Sequence, residues 1–388
     1  MNSRTKPGVT LLEVAITGGI LATGVALLLP MLTQARSSAR RLQCAAKLGE
    51  IAQANALYET KRGRFPPGRG FPDWAIHGQQ RPTYTSYGTV NPSNPHEQTR
   101  FQSVHYWLLP PLGMQAAFDA IDADKYTKRL SIQGAPFNPN YKGFVMVGDY
   151  FVCPDDSNTS LGGITENNYR YNFGGATPYG GAYAHSQQND ITSLDAGGAP
   201  VAGNGAFTIG VGLPVSAFRR GLGKTVFFSE RTKGSGGLSG GQPPTMSDVI
   251  LIGDRRPGPL GVDISFDACL RTEPVASPFN FSGFGRWVPG DDWSNGWPFA
   301  GYDATEYNHL APPNWDHVDC GTYSSIPDTP GEHAVITARS EHGAFVHAAY
   351  GDAHVTPISN HIDLEVWRAL GRRDAPGKPL PATKLGGP

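Results

Sequence analysis

Residues 4–32 read RTKPGVTLLEVAITGGILATGVALLLPML, and this stretch decides the architecture of the chain. Between residues 9 and 32 the only charged side chain is that of Glu13. An α-helix rises about 1.5 Å per residue, so this segment is long enough to cross a hydrocarbon core about 30 Å thick. The sequence therefore predicts one membrane-spanning helix near the start of the chain.

A secretory signal peptide is the alternative interpretation of a basic start followed by an apolar run. That alternative expects a small-residue cleavage site after the run, but Pro30 is followed by Met31, Leu32 and a polar segment. Residues 34–58 contain no proline, and their apolar residues recur every three or four positions: Leu42, Ala45, Leu48, Ile51, Ala52 and Ala56. The membrane helix is thus predicted to continue as an amphipathic helix to residue 62, before Gly63 and two prolines end it.

Charge is nearly balanced over the 388 residues, with 32 Lys and Arg against 33 Asp and Glu. This balance argues against a nucleic-acid-binding protein. Its distribution is uneven, because residues 1–64 carry a net charge of +6 and the remaining residues one of −7. A basic, apolar beginning and a mildly acidic remainder indicate a membrane anchor followed by a separate folded domain.

The remainder of the chain is rich in turn-forming residues, with 49 glycines and 33 prolines in the whole sequence. Short apolar runs at 150–153, 225–228 and 335–337 predict β-strands between long loops. Residues 343–358 predict a hairpin with Asp352 and Ala353 at its turn.

Two further features are predicted near the end of the chain. Asp363 is predicted to cap a short helix with the sequence DLEVWRAL, which stops at Gly371. Residues 374–388 are predicted to be a disordered tail, because they combine prolines and glycines with polar residues.

Four cysteines are too few and too scattered for a disulfide scaffold, and no CxxC spacing indicates a structural zinc site. In an oxidising compartment the preferred pair is Cys269 with Cys320. Spacing alone cannot fix the connectivity of the four.

Candidate ligand-binding residues are weakly indicated. Asp291, Asp292 and Trp293 in GDDWSNG (290–296) are compatible with Ca²⁺ or with a sugar stacked on the indole, although an ordinary polar loop has the same composition. Seven of the eleven histidines lie between His309 and His361, and with Asp316, Asp319 or Asp352 they offer possible zinc ligands. No HExxH spacing supports that hypothesis, so the expectation is surface histidines and no resident cofactor.

Catalytic motifs are not found in the sequence. It contains neither a GxSxG elbow nor a GxxxxGK[ST] phosphate loop. We therefore do not expect an enzyme, and a periplasmic hydrolase is the least favoured hypothesis.

The N-terminal constellation of Arg4 and Lys6, then Gly8, then an apolar run with Glu13, resembles the prepilin cleavage and methylation motif. The resemblance implies that a prepilin peptidase cuts between Gly8 and Val9 and methylates the new N-terminus. Val9 stands where the family usually has phenylalanine. Glu13 would then neutralise the α-amine of a neighbouring subunit during assembly, which gives a physical reason for a carboxylate at that depth.

A wider resemblance is carried by the order of GRFPPG (63–68), WLLPPLG (107–113), VCPDD (152–156), GLGKTVFFSER (221–231), LAPPNWDHVDCG (310–321) and EHGAFVHAAYGDAHVTPISNHIDLEVWRALG (341–371). These segments are similar to the prepilin-like family expanded in planctomycetes, whose C-terminal domain has no known function and is sometimes labelled solute-binding-protein-like. The family more often has glycine and serine at the positions of Ala353 and His354. The resemblance implies an α+β fold, with a long N-terminal helix packed on a pilin-like antiparallel sheet that carries large loop insertions.

These observations give one domain plan. We expect a leader (1–8), a transmembrane and amphipathic helix (9–62), an extracytoplasmic α+β domain (63–373) and a tail (374–388). The chain is expected to be a single-pass protein of the cytoplasmic membrane, whose main domain is extracytoplasmic and reaches a surface pilus after assembly.

The leading functional hypothesis is a pilin or secretion pseudopilin subunit that interacts with a prepilin peptidase, the membrane and other pilin-like chains or itself, and not with nucleic acid. The alternative is an anchored binding module for a glycan or small solute that never polymerises.

The mature N-terminus tests the leader assignment. Mass spectrometry of the chain purified from membranes is expected to find Val9 as the first residue, with or without methylation. An intact Met1, or cleavage after the apolar run, would contradict the assignment.

Overall fold

The computed structural model describes residues 8, 10–68, 102–123, 140–157, 165–177, 203–208, 212–234, 246–247, 249–252, 266–267, 269–271, 286–288, 296–302, 304–323 and 330–374. The helices are α1 Leu11–Arg62, α2 Val104–Leu108, α3 Gln115–Asp119, α4 Tyr141–Val147 and α5 Leu364–Gly371. The strands are β1 Tyr169–Asn172, β2 Val226–Glu230, β3 Val249–Ile252, β4 Arg286–Val288, β5 Glu306–Tyr307, β6 Asp319–Tyr323, β7 Pro330–Val335, β8 Phe345–Tyr350 and β9 Val355–Ser359.

The strands form two mixed sheets, with the orders β5-β1-β2-β8-β9 and β4-β3-β6-β7. The α+β class is confirmed, but the purely antiparallel sheet is wrong. One pair in each sheet is parallel, β1 with β5 and β3 with β6. A tight hairpin cannot join parallel partners. Here a long connection does so in the first sheet, because β1 ends at Asn172 and β5 begins only at Glu306.

The β8–β9 hairpin has the predicted position and turn. Val346 is opposite Ile358, and Ala349 is opposite Val355. Ala353 adopts a φ of 70°, the left-handed conformation that the tight turn requires and that costs a residue with a Cβ. The short helix α5 is also confirmed, since the Asp363 side chain accepts a hydrogen bond from the Val366 N–H at 3.0 Å.

The second half of α1 packs on β2, β8 and β9 of the five-stranded sheet. Its buried face consists of residues spaced at helical intervals: Cys44, Leu48, Ile51, Ala52 and Asn55. The prediction that Leu42 belongs to this face is wrong, because 71% of its surface is exposed. Leu42 lies on a face of the helix that is exposed, and Cys44, two residues later, is the first buried residue.

Two predicted strands differ from the structure. Residues 150–153 form turns and irregular backbone, in which the Phe151 ring contacts Trp297 in the core at 5.6 Å between centroids. The strand predicted at 335–337 ends at Val335. The N–H groups of the next two residues donate to side chains, Ile336 to Asn308 and Thr337 to Asp319, while the Ile336 carbonyl accepts from the Asn308 N–H at 3.0 Å.

Two histidines lie in the main core. The His105 ring packs edge-on to Phe151 at 4.7 Å between centroids, and His309 stacks on Trp367 at 3.8 Å. His309 Nδ1 donates to the Trp367 carbonyl at 3.0 Å, and its Nε2 accepts from the Tyr307 hydroxyl at 3.0 Å, so its polar atoms are satisfied in the neutral form. Burial lowers the pKa of each histidine to about 3.

These two histidines make the fold sensitive to acid. Their pKa is lower in the folded state than in the unfolded chain, where it is about 6.5, so the stability is complete above that pH and declines as the pH falls. Each histidine is expected to lower the free energy of unfolding by about 2 kcal/mol between pH 7 and pH 5. Urea unfolding of the full chain in mild detergent at both pH values measures this loss.

A His309→Phe variant should lose part of this pH dependence, whatever its stability at pH 7. The exposed His354, replaced by Gln, is the control and should leave the difference between the two pH values unchanged. An equal pH dependence in all three proteins would contradict the explanation.

Candidate functional site

The first half of α1 presents an exposed apolar surface. Its large apolar residues are exposed on all sides, from Leu11 (88%) to Leu32 (54%). Among the helices in the described residues, α1 is the one that is long and apolar enough to cross a membrane by length and composition. In water this surface would be unfavourable, since burying one such side chain contributes about 1.5–3 kcal/mol.

A disulfide attaches the helix to the folded domain close to where burial begins. Cys44 of α1 is bonded to Cys153, with the two Cα atoms 5.2 Å apart. One helical turn later the Lys47 ammonium lies 3.9 Å from the centre of the Tyr150 ring, and the Tyr150 hydroxyl donates to Glu50 at 2.6 Å. These contacts fix the direction in which α1 leaves the domain. We call this region the helix junction.

A chain of acidic and imidazole groups lies at the helix junction. It runs from Asp155 through His342 to Glu230 and then to His347. His342 Nδ1 is 2.9 Å from Asp155 Oδ2, and its Nε2 is 3.0 Å from Glu230 Oε1. Glu230 also accepts from the His347 N–H at 2.7 Å and from His347 Nδ1 at 3.0 Å. The carboxylate of Glu230 is therefore held by three donors in a buried position.

The electrostatics of these hydrogen-bonded groups favour the charged forms of His342 and Glu230. Burial alone would lower the pKa of His342, but hydrogen bonds and charge interactions with Glu230 and Asp155 outweigh it, so the pKa is raised. Burial alone would raise the pKa of Glu230, but the bonds from His342 and His347 outweigh it, so the pKa is lowered. Both ring nitrogens of His342 face carboxylates, which only accept hydrogen bonds when ionised, so the geometry suits an imidazolium.

A groove of about 570 Å³ opens beside these hydrogen-bonded groups, between α1 and the β8–β9 hairpin. Its walls combine apolar and polar side chains, namely Ser38, Arg41, Leu42, Ala344, Phe345, His347, Pro357 and Ser359. The Arg41 guanidinium lies 5.9 Å from the centre of the Phe345 ring. A groove of this size and composition could hold a small amphipathic molecule.

A second charged network joins the two sheets. Asp319 of β6 is fully buried between Arg231, at 2.9 Å, and Arg339, at 3.1 Å. Asp319 is thus committed to an ion triad. Asp316 pairs with His317 and Asp352 with His354 elsewhere on the surface. Each of the three aspartates named as a possible zinc ligand thus has a different partner in the structure.

The other predicted site residues have varied outcomes. Gly8 is exposed ahead of α1, and Glu13 lies near the start of that helix, but Val9 and the side chain of Glu13 lie outside the described residues. Cys269 and Cys320 are disulfide-bonded, with Cα atoms 5.7 Å apart. Asp291, Asp292 and Trp293 lie outside the described residues, so the suggested Ca²⁺ or sugar site has no structural description.

Sequence reasoning missed the helix junction. Its members come from four distant parts of the chain: Cys44, Cys153 with Asp155, Glu230, and His342 with His347. Clustering of histidines between 309 and 361 was a partial signal, since it includes His342 and His347. Nothing in the sequence connected them with Glu230, which is 112 positions before His342.

Removal of the central carboxylate is expected to destabilise the domain. In a Glu230→Ala variant three donors would lose their acceptor in a buried position, at a cost of about 3–5 kcal/mol in the free energy of unfolding. Urea unfolding followed by near-ultraviolet circular dichroism measures the loss. Glu365→Ala removes an exposed carboxylate bonded to Arg368 and should cost less than about 1 kcal/mol. Equal losses in the two variants would contradict the role of Glu230.

Comparison with known proteins places the folded domain in a family. A family model described as "Protein of unknown function (DUF1559)" matches residues 33–365, whereas no curated protein and no solved structure matches the chain. The matched region begins directly after the apolar span and includes the helix junction and the strands of both sheets. The chain belongs to the DUF1559 family of proteins of unknown function.

Proposed function

We propose that the chain is a membrane-anchored, prepilin-like or pseudopilin-like subunit. A prepilin peptidase would cut it between Gly8 and Val9, and α1 would then assemble it with other pilin-like chains into a pilus or a secretion pseudopilus. The proposal assigns no enzymatic reaction to the domain, which would lie outside the cytoplasm.

The observation that carries the proposal is the contrast between the two halves of α1. Residues from Leu11 to Leu32 expose apolar side chains all around the helix, whereas residues from Cys44 onwards bury one face in the domain. A helix that is apolar on all sides requires an apolar environment, either lipid or other helices. The membrane before assembly and a bundle of α1 helices after assembly would each provide that environment.

The packing surface of the exposed half supports contact between helices. Ala15, Gly19 and Thr23 follow one another at four-residue intervals and so lie along one face. The Thr23 hydroxyl donates to the Gly19 carbonyl at 2.8 Å, which satisfies this polar group within the helix. Around Gly19 an added Cβ would meet nothing within 4 Å, so a second helix has space to approach closely.

The rigid connection at the helix junction also supports a structural role. The helix continues without interruption from the apolar half into the domain, and the Cys44–Cys153 disulfide fixes the two together. A subunit of a filament needs this coupling, because force on the anchored helix is then transmitted to the folded domain.

The groove beside α1 supports a second candidate function, an anchored module that binds a glycan or a small solute without polymerising. Arg41, Phe345 and His347 offer a charge, an aromatic surface and a hydrogen-bonding group in its wall. The two candidates differ in their need for Glu13, which lies near the opposite end of α1.

Replacement of Glu13 by Ala separates the candidates. Removal of a carboxylate from an apolar span favours membrane insertion by about 2.5–3.5 kcal/mol, so insertion should be retained. Assembly should be lost, because the α-amine of the neighbouring subunit would lack its counter-charge. Carbonate extraction of membranes measures insertion, and chemical crosslinking between chains in the membrane measures assembly.

The matched control is Glu59→Ala, which removes a carboxylate from the same helix within the packed half. It should leave both insertion and crosslinking unchanged. Crosslinking of the Glu13→Ala chain at the level of the unmodified chain would count against the pilin proposal and favour the anchored binding module.

A further inference from the structure

Four potential metal ligands converge at the helix junction. One ligand atom each from Cys44, Cys153, Glu230 and His342 lies within 4.8 Å of the others, and all four residues are buried. In the structure the two sulfurs are joined in a disulfide, so neither is a thiolate. The imidazole and the carboxylate nevertheless lie beside the disulfide, and neither is needed to form it.

The donor set matches the requirements of zinc. Structural zinc sites are tetrahedral, with Zn–S distances of about 2.3 Å and Zn–N or Zn–O distances of about 2.0–2.2 Å. Ligand atoms on such a tetrahedron are about 3.3–3.8 Å apart. The four atoms lie within 4.8 Å of one another, and the two that are not sulfur, His342 Nε2 and Glu230 Oε1, are 3.0 Å apart. The two sulfurs must move from bonding distance to ligand spacing. Their Cα atoms are 5.2 Å apart, and the movement requires rotation of the side chains.

Groups around these residues would orient the ligands. Asp155 accepts from His342 Nδ1 at 2.9 Å, so Nε2, which lies 3.0 Å from Glu230 Oε1, is the nitrogen that would bind a metal after loss of its proton. A carboxylate behind the imidazole is the usual partner of a zinc-bound histidine. The other oxygen of Glu230 is held by the His347 N–H at 2.7 Å. Both non-sulfur ligands therefore have the second partners that a metal site needs.

We infer that reduction of the Cys44–Cys153 disulfide converts the helix junction into a structural Zn²⁺ site with Cys44, Cys153, Glu230 and His342 as ligands. The disulfide takes two electrons and two protons from a dithiol reductant, which itself becomes a disulfide. The two thiols release their protons when Zn²⁺ binds, because the thiolate is the ligand, and His342 releases the proton on Nε2, because a neutral imidazole is the ligand. The helix is then held to the domain in both redox states, by a covalent bond when oxidised and by the metal when reduced.

Cobalt binding tests this inference. The full chain in mild detergent, with Cys269→Ser and Cys320→Ser, is used so that Cys44 and Cys153 are its only cysteines. After reduction it should bind one Co²⁺ per chain, with the thiolate-to-cobalt charge-transfer absorption and strong visible bands of a tetrahedral site. Zn²⁺ should displace the cobalt, and the oxidised protein should show no such absorption.

Three variants assign the ligands. Cys44→Ser should abolish the charge-transfer absorption, and His342→Gln should weaken Co²⁺ binding. Asp155→Asn should weaken it about 10–100-fold, because the histidine loses its orienting partner. Asp352→Asn is the matched control, since it removes the carboxylate of another Asp–His pair at the surface and should leave the affinity unchanged.

Three results would overturn the inference. One is a reduced chain without charge-transfer absorption, and another is a Cys44→Ser variant that binds cobalt as the parent does. The third concerns a protein that unfolds on reduction. If the serine replacements themselves unfold the domain, the unmodified chain is reduced instead. Zn²⁺ must then restore the near-ultraviolet circular dichroism, and failure to restore it would refute the metal site.

Discussion

The change of environment along one helix is the constraint on which this structure depends. α1 runs from Leu11 to Arg62, and its first half exposes apolar residues whose contact with water is unfavourable. One face of its second half is shielded from water by packing on β2, β8 and β9. The two halves of one helix therefore have different surroundings, and the Cys44–Cys153 disulfide lies close to the boundary between the halves. Several constraints meet near that boundary, namely the covalent bond, the Lys47–Tyr150 contact and the buried Glu230.

Charged groups are buried where separate parts of the chain meet. Glu230 and His342 join β2 to the segment that precedes β8, while Asp319 with Arg231 and Arg339 joins the two sheets. Removing such charges from water is costly, and the attraction within each group offsets that cost only when the hydrogen bonds are complete. Completeness is visible around Glu230, which has three donors. These groups thus fix the relative positions of elements that apolar packing alone would define less sharply.

The relation between the family and the proposed role follows from the same division. The DUF1559 match begins at residue 33 and so describes the folded domain, whereas the features that favour a pilin-like role lie in residues 4–32. The two halves of α1 thus carry different information. The packed half specifies how the helix is attached to the domain, and in the proposed role the apolar half would specify where the attached domain is held. The inferred zinc site belongs to the first of these, because it would replace one form of attachment by another.

Local sequence determined the features that depend on near neighbours. The apolar run, the helix to Arg62, the β8–β9 hairpin and the Asp363 cap follow from composition, periodicity and turn chemistry, which act over a few residues. Tertiary structure alone decided which side of α1 is buried near Leu42, because a shift of two residues on a helix changes the face. It also decided the parallel pairs and the meeting of Cys44, Cys153, Glu230 and His342. These contacts join residues that are far apart along the chain, and no local pattern encodes such a separation.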